Sequence, residues 1–120
     1  MENKLIRESL ENLPSTIAKK ETELYQLILE TTGLEAVNKN IELQSKFNVR
    51  NIKGGDGKKL YTNETDRSKA VTEELEMHSG YMATAQEIDE NKKRTKELEI
   101  ALGLVKRTFR AAESLTRLGE

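Results

Sequence analysis

The only histidine, His78, is the residue with the clearest capacity for metal chemistry. It lies four residues after Glu74, so both side chains would share one helical face with Met77 and Tyr81. A zinc site needs three or four ligands, and this face supplies two. We therefore interpret His78 as a partly exposed helical histidine and expect neither a metal nor another cofactor.

Covalent or acid–base catalysis has no better candidate in the sequence. None of the serines stands in a nucleophile motif. Glutamates and aspartates are plentiful, but a catalytic carboxylate needs a pocket that shifts its pKa, and thin contacts between helices rarely form one. The sequence therefore predicts a protein that is not an enzyme.

A segment rich in glycine and lysine, residues 54–59, could cradle a phosphate group. The Walker pattern requires G-x-x-x-x-G-K-[ST], whereas these glycines lie too close together and Lys59 occupies the Ser/Thr position. Asp56 and Gly57 instead favour a tight hairpin turn. Four cations of this region could contact a nucleic-acid backbone or an acidic protein, with solvated turn residues as the alternative: Arg50, Lys53, Lys58 and Lys59.

A second group of cations follows in residues 91–120, which carry eight basic and four acidic side chains. The candidates for contacting phosphates or a protein are Lys106, Arg107 and Arg110. Glutamates lie between the cations, and there are few aromatic residues on which bases could stack. Residues 63–90 carry eight acidic and two basic side chains, so the order of charge also complements a helix macrodipole.

The element that would carry these cations is a long helix. Residues 63–120 contain no proline, and they begin with a capping signal at Thr62 and Asn63. At ~1.5 Å per residue, this run would extend roughly 85 Å as one helix. Because such a helix needs a partner along its apolar side, we predict a second long helix over residues 63–118 that pairs with a first one. Gly80 and Gly103 mark places where this helix could bend or where another backbone comes close.

The first long helix is predicted over residues 14–46. Pro14 disfavours helix in the residue before it, so a short N-terminal helix over residues 1–13 should end there. The alternative is one helix that continues through Pro14 with a kink. Apolar residues recur at heptad spacing on both long helices, and Ile28 and Val37 widen the first stripe. We call the predicted pairing residues the seam: Ile17, Leu24, Leu27, Leu34 and Ile41 on the first helix, and Tyr81, Ile88, Leu98, Leu102, Val105 and Phe109 on the second.

Residues 47–62, between the two helices, combine β-favouring residues with the glycine-rich turn and predict a short β-hairpin or an ordered loop. The predicted fold is mainly α, a single domain over residues 1–120. Its two long helices form an antiparallel, coiled-coil-like helical hairpin. Because such a hairpin buries little apolar area, we expect a homo-oligomer.

The composition is typical of a thin core. Of all residues, 35% are hydrophobic and 34% are charged, and no cysteine is available for a disulfide or a metal site. No apolar stretch approaches the ~20 residues needed to cross a bilayer. The N-terminus lacks the apolar centre of a signal peptide. We expect a cytoplasmic protein that makes no membrane contact.

The chain resembles two families. Its layout of helix, β-hairpin and helix resembles a prefoldin beta-type subunit, which implies a hexamer built through hairpins and helix tips that hold unfolded chains. Residues 59–64 (KLYTNE), 66–71 (DRSKAV) and 104–110 (LVKRTFR) resemble small coiled-coil proteins of bacterial and prophage genomes. Some of those lie near replication and recombination genes, which implies an accessory role in DNA metabolism.

The leading functional interpretation is a non-catalytic helical interaction or scaffolding protein. It would self-associate and bind an unidentified protein partner, as an accessory factor of a prophage or mobile element. The first alternative is a nucleic-acid-binding accessory protein of DNA replication or recombination, whose binding would fall steeply with salt. The second alternative is a prefoldin-like holdase chaperone with exposed apolar surface at its helix ends.

Overall fold

Three helices make up most of the chain in the computed structural model, which describes residues 2–118. They are α1 (Glu2–Asn51), α2 (Glu64–Glu76) and α3 (Ser79–Leu118), and residues 2–118 contain no β-strand. The prediction of a mainly helical fold is therefore confirmed. The first and last residues of the predicted single domain, Met1 and Glu120, lie outside the described residues.

Contacts divide the chain into two compact units. The terminal unit combines α1 up to Glu30 with α3 from Asn91. The central unit, Thr31–Glu90, contains the rest of α1, a connecting loop, α2 and the first turns of α3. Each contact between helices described below lies within one of these units.

Helix α1 passes through Pro14 without interruption, so the predicted break between helices over residues 1–13 and 14–46 is wrong. Proline removes one backbone donor, but Pro14 is exposed, so water can solvate the carbonyl group left without its partner. Leu13 and Ile17 lie on one face, either side of the proline, and both are half-buried. The burial of this face outweighs the local preference of proline for a break.

The predicted β-hairpin over residues 47–62 is absent, and the alternative prediction of an ordered loop describes this region. α1 continues to Asn51 instead of ending at residue 46. Val49, in its last turn, is only 2% exposed, so burial within the central unit favours this extension. The connecting segment is thereby shortened to residues 52–63.

Local hydrogen bonds order the loop. One antiparallel β-bridge joins Lys53 and Lys59, and the amide of Leu60 donates to the carbonyl oxygen of Ile52 at 2.9 Å. At the turn, Gly57 has a φ of +78°, a left-handed conformation that glycine adopts without steric strain. Asp56 does not share this conformation, so the tight hairpin turn predicted at Asp56 and Gly57 is not formed, and Gly57 alone behaves as the sequence indicates.

Helix α2 begins where the sequence indicates. The side chain of Asn63 caps it by accepting a hydrogen bond of 2.8 Å from the amide of Asp66. Glu64 and Asp66 place negative charge in the first turn, which the helix dipole favours.

An interruption at Met77 and His78 separates α2 from α3, so the prediction of one helix over residues 63–118 is wrong. The interruption lies beside Gly80, one of the two positions at which a bend is predicted. His78 Nδ1 accepts a hydrogen bond of 2.9 Å from the amide of Tyr81, as a capping side chain does at the start of a helix. Gly80 leaves room for the ring, because a Cβ there would lie 3.2 Å from His78 Cε1. His78 thus starts α3 instead of continuing α2.

Few side chains are buried in either unit. In the central unit the buried apolar residues are Val49, Ala70 and Ile88, and in the terminal unit they are Leu98, Leu102 and Ala112. The core therefore consists of narrow contacts between helices, and each buried side chain contributes a large share of the stability.

We predict that Pro14→Ala stabilises the protein. Alanine restores the missing donor and removes an intrinsic helix penalty of about 3 kcal/mol, so we expect the free energy of unfolding to rise by about 1–3 kcal/mol. Denaturant unfolding followed by circular dichroism would measure the change. Ser15→Ala, at the neighbouring exposed position, is the control and should change stability by no more than about 0.5 kcal/mol. A loss of stability in Pro14→Ala would contradict the described helix.

Candidate functional site

Hydrogen bonds join α1 to α2 and α3 within the central unit. Asn38 Nδ2 donates to the carbonyl oxygen of Tyr81 at 3.1 Å, and Ser45 Oγ donates to Glu74 Oε2 at 2.8 Å. Between these two bonds the residue number rises by seven on α1, from 38 to 45. On the partner segment it falls by seven, from 81 to 74. The two segments of this unit are therefore antiparallel.

The row of residues that faces this contact is polar. Thr31, Asn38 and Ser45 are buried at seven-residue intervals on α1, with exposed fractions of 7%, 6% and 4%. A buried asparagine in such a row fixes the register of paired helices at some cost in stability. That cost is visible here, because Asn38 Oδ1 is buried without a hydrogen-bond partner among the described residues. The row therefore specifies which residues pair.

Tyr81 links the two segments a second time. Its hydroxyl donates to Glu42 Oε1 at 2.6 Å, and the bonded carboxylate raises the pKa of the Tyr81 phenol, with burial adding to the effect. Sequence reasoning placed Tyr81 in the seam but missed Glu42 and Ser45. Ser45 had a signal, because it continues the heptad row of Asn38 by one further step.

The terminal unit has a more apolar contact. Leu98 and Leu102 on α3 are 4% and 7% exposed. Arg94 Nη2 lies 2.8 Å from Glu23 Oε1. These ion-paired side chains are about half exposed, so the pair contributes little to stability compared with leucine burial.

The structure places the predicted seam residues as follows. Ile88, Leu98 and Leu102 are buried, and the remaining members are half-buried. In the terminal unit the half-buried members are Ile17, Leu24, Leu27, Val105 and Phe109, and in the central unit they are Leu34, Ile41 and Tyr81.

A second set of large apolar side chains is exposed on the outer faces of the long helices. Ile28 and Val37, predicted to widen the seam stripe, are 44% and 52% exposed and belong to this outer set. The other members on α1 are Tyr25, Leu29, Leu43 and Phe47, and those towards the end of α3 are Ile100, Leu104, Leu115 and Leu118. The sequence did not predict these outer faces, because most of their residues lie outside the heptad rows.

The structure pairs two of the four predicted loop cations. Lys53, Lys58 and Lys59 are all exposed, and the bridge pairs the backbones of Lys53 and Lys59. The amide of Lys58 donates to Asp56 Oδ1 at 3.0 Å, so this segment is an Asx-type turn. Arg50 precedes the loop, in the last turn of α1.

Arg50 instead lines a hollow of about 340 Å³ between the end of α1 and the start of α2. Two further cations, Lys46 and Arg67, line the same hollow together with Glu64. Sequence reasoning missed Lys46 and Arg67, which lie outside the loop on two different helices. A hollow with three cations and one carboxylate could accept an anionic group.

The predicted cations of α3 have separate surroundings. Lys106 Nζ lies 3.9 Å from Glu21 Oε1 in the terminal unit, and Arg107 Nε donates to the carbonyl oxygen of Gly103 at 3.3 Å. Arg110 is exposed. Two of the three side chains therefore already contact this chain, which weakens the prediction of a shared phosphate contact.

Residues 2–118 bring together no group of three histidine, cysteine, aspartate or glutamate side chains that could hold a metal ion. None of the helices described here offers an apolar stretch of the length that a membrane crossing needs. No protein-family model, curated protein or solved structure matches the chain. The functional conclusion therefore depends on the contacts and exposed surfaces of this chain.

We predict that Glu42→Gln lowers the pKa of Tyr81. In the folded protein the Glu42 carboxylate raises this pKa above the ordinary value of about 10. The stability that the bond contributes is therefore present below about pH 10 and is lost as the pH rises through the raised pKa. A neutral amide removes most of that effect. Tyrosinate absorbance during alkaline titration, with Tyr81→Phe subtracted to isolate the signal, would measure the shift.

Glu8→Gln provides the matched control for this titration, because it makes the same chemical change 34 residues before Glu42 in the sequence. It should leave the titration of Tyr81 unaltered. An unchanged or higher Tyr81 pKa in Glu42→Gln would show that the two side chains are not bonded in solution.

Proposed function

We propose that this chain is a non-catalytic helical interaction protein that self-associates and binds a macromolecular partner. The observation that supports this most strongly is the second apolar face on each long helix. On α3 the exposed fractions reach 71% at Ile100 and 83% at Leu118, and on α1 they reach 63% at Tyr25 and 65% at Phe47. Contiguous exposed apolar surface on a protein usually marks a site of association.

Three side chains with groups that could take part in catalysis have structural roles. The Glu42 carboxylate accepts the Tyr81 hydroxyl, and the Glu74 carboxylate accepts the Ser45 hydroxyl. His78 uses Nδ1 to cap α3. A catalytic group must be available to a substrate. The hydrogen bonds that these three side chains make within the chain therefore support a binding role over an enzymatic one.

We assign the self-association to exposed helix faces and not to a β-hairpin. The resemblance to prefoldin subunits implied a hexamer built through β-hairpins, but the connecting loop has one bridge and no strand. That difference weakens the resemblance to prefoldin, although Leu115 and Leu118 at the end of α3 supply the exposed apolar surface that the holdase alternative requires. A cytoplasmic location and a role as a prophage or mobile-element accessory factor remain part of the proposal.

Nucleic-acid binding remains the second candidate because of the hollow lined by Lys46, Arg50 and Arg67. Three cations drawn from two helices could hold a backbone phosphate more firmly than isolated loop lysines could. Glu64 lines the same hollow and would repel a phosphate. This carboxylate is the reason that we rank the protein-interaction function first.

We predict a mass above that of the 13.6 kDa monomer in sedimentation equilibrium, increasing with protein concentration. The physical reason is that association would bury apolar side chains that are more than half exposed in the single chain. A monomer at every concentration up to the high micromolar range would contradict the self-association on which the proposal depends.

Fluorescence anisotropy with single-stranded and duplex DNA would decide between the two candidates. The proposed function predicts no binding that depends steeply on salt. The nucleic-acid candidate would replace it if binding fell steeply with salt and was lost when Lys46, Arg50 and Arg67 were all changed to alanine. A matched triple variant of exposed α1 cations, Lys4→Ala, Arg7→Ala and Lys19→Ala, controls for the loss of three charges.

A further inference from the structure

The outer face of α3 carries an apolar stripe that lies wholly within the terminal unit. Over residues 100–118, the positions within about 60° of Ile100 lie opposite the buried Leu98 and Leu102. The large apolar side chains among them are 53% to 83% exposed: Ile100, Leu104, Leu115 and Leu118. The other positions in this sector are Gly103, Arg107, Ala111 and Ser114. We call all of these positions the α3 stripe.

The spacing of the α3 stripe suits contact with another helix. Steps of four, three, four and seven residues separate Ile100, Leu104, Arg107, Ala111 and Leu118. A helix presents its anchors to a partner helix at such steps. The exposed large side chains each offer on the order of 100 Å² of apolar area, so together they reach the size of a surface patch that marks an interaction site.

The charges on and beside the stripe are positive. Arg107 lies within it, and Arg110 and Arg117 follow one of its borders. Residues 100–118 contain a single carboxylate, that of Glu113, which is half-buried and lies on the side of α3 away from the stripe. A partner that packs on the leucines therefore meets arginines along one edge and no carboxylate.

The residues before Ile100 show where the apolar stripe begins. The same side of α3 carries Lys93, Lys96 and Glu97 in the two preceding turns. These are two cations and one carboxylate, so the excess of positive charge continues there while the apolar surface does not.

The arginines of the stripe are available for pairing with a carboxylate. Lys106, further round the helix, is already paired within the terminal unit, whereas Arg107, Arg110 and Arg117 form no ion pair with any side chain that the structure describes. Arg107 uses Nε for its bond to the carbonyl oxygen of Gly103, and neither Nη donates a hydrogen bond to the described residues. Two free N–H groups in one plane are the geometry that binds a carboxylate.

We propose that the α3 stripe binds an amphipathic helix of another protein, one that has an apolar face bordered by glutamate or aspartate. Its apolar residues pack on the stripe, and its carboxylates pair with Arg107, Arg110 and Arg117. This inference deepens the proposed function and rests on its partner-binding part, because it gives the partner a surface and a chemistry. The charge pairs select the partner and set its direction, while the leucines contribute the apolar contact.

A second copy of the stripe is a poorer occupant. Parallel pairing sets Arg107 against Arg107. Antiparallel pairing that matches Ile100 with Leu118 places Arg107 opposite Ala111, so the two copies of Arg107 lie roughly 6 Å apart along the helices. Like charges at that spacing oppose the contact. The self-association of the proposed function therefore has to use other exposed apolar side chains.

A bilayer and a nucleic acid each match only part of this surface. Arg107 lies near the middle of the stripe, so insertion of the leucines into lipid would carry its charge towards the acyl chains. Phosphates of a nucleic acid would pair with the arginines but leave Leu115 and Leu118 in water. An acidic amphipathic helix covers the leucines and pairs with the arginines.

Peptide binding to the full-length protein tests this assignment. The glutamate peptide is a fluorescein-labelled synthetic helix of about five turns, with leucines along one face and glutamates along the border of that face. The lysine peptide has lysine in place of each glutamate, and the alanine peptide has alanine in place of each leucine. Fluorescence anisotropy should show that the glutamate peptide binds at least about tenfold more tightly than either of the others, because it alone makes both contacts.

Charge reversal in the protein gives the sharper result. Arg107→Glu combined with Arg110→Glu should exchange the preference, so that the lysine peptide binds more tightly than the glutamate peptide. The matched control is Lys4→Glu combined with Lys19→Glu, which reverses two charges at exposed positions of α1 and should leave the preference unaltered. Circular dichroism of both variants checks that they remain helical.

A second double variant tests the apolar half of the contact without reversing any charge. Leu104→Ala combined with Leu115→Ala should weaken binding of the glutamate peptide by at least about tenfold. Both side chains are more than half exposed, so their removal should leave the helices intact.

Three results would overturn the inference. Equal binding of the glutamate and lysine peptides would show a surface without charge selection, as a holdase has. An unaltered preference after charge reversal would place the contact elsewhere. Binding of phosphatidylserine vesicles or of DNA through Arg107 and Arg110, without binding of the glutamate peptide, would assign the stripe to a lipid or a nucleic acid.

These outcomes separate the inference from the self-association in the proposed function. A protein that associates in sedimentation but does not prefer the glutamate peptide would reject this surface and leave the self-association intact. A monomer that binds the glutamate peptide with the expected preference would reject the self-association and leave this surface intact. A monomer without that preference would reject both.

Discussion

Burial of a few side chains between paired helices is the constraint on which the rest of this structure depends. Leu98 and Leu102 in the terminal unit and Val49 and Ile88 in the central unit are the large apolar side chains removed from water. A chain with 34% charged residues cannot build a broad core, so its helices must use one narrow face each. That burial is strong enough to carry α1 through Pro14 and to extend it to Asn51.

A narrow apolar contact alone would leave the register of the helices weakly defined. In the central unit, polar groups define the register, because Asn38 and Ser45 form hydrogen bonds to specific partners on the opposite segment. The capping bond from Tyr81 to His78 fixes the start of α3 in the same region. Stability and register are therefore supplied by different residues, apolar ones for the first and polar ones for the second.

The exposed apolar faces of the long helices, opposite the seam, are the feature of this fold that supports the proposed function. A helix that buried only its seam would be polar elsewhere, yet α1 and α3 both expose large apolar side chains on the opposite side. Two apolar faces on one helix are typical of helices that pack in more than one layer. This explains why an interaction protein is the function that the geometry supports best.

Much of the helical content could be predicted from the sequence, because heptad spacing and the Asn63 cap are local signals. The errors arose where tertiary contacts or unusual caps decided the outcome. Burial of Val49 extended α1 into the predicted hairpin, and His78 capped a helix in place of the usual short polar residues. The hollow lined by Lys46 and Arg67 joins two helices, so no local pattern could reveal it.

Two substitutions on α3, two residues apart, test most directly whether one narrow buried face of each helix holds the fold together. Leu98 is 4% exposed and Ile100 is 71% exposed, although the same helix carries both. Denaturant unfolding of dilute protein should show that Leu98→Ala lowers the free energy of unfolding by about 2–5 kcal/mol, whereas Ile100→Ala changes it by no more than about 0.5 kcal/mol. Equal losses in the two variants would contradict a fold held together by a single narrow face of each helix.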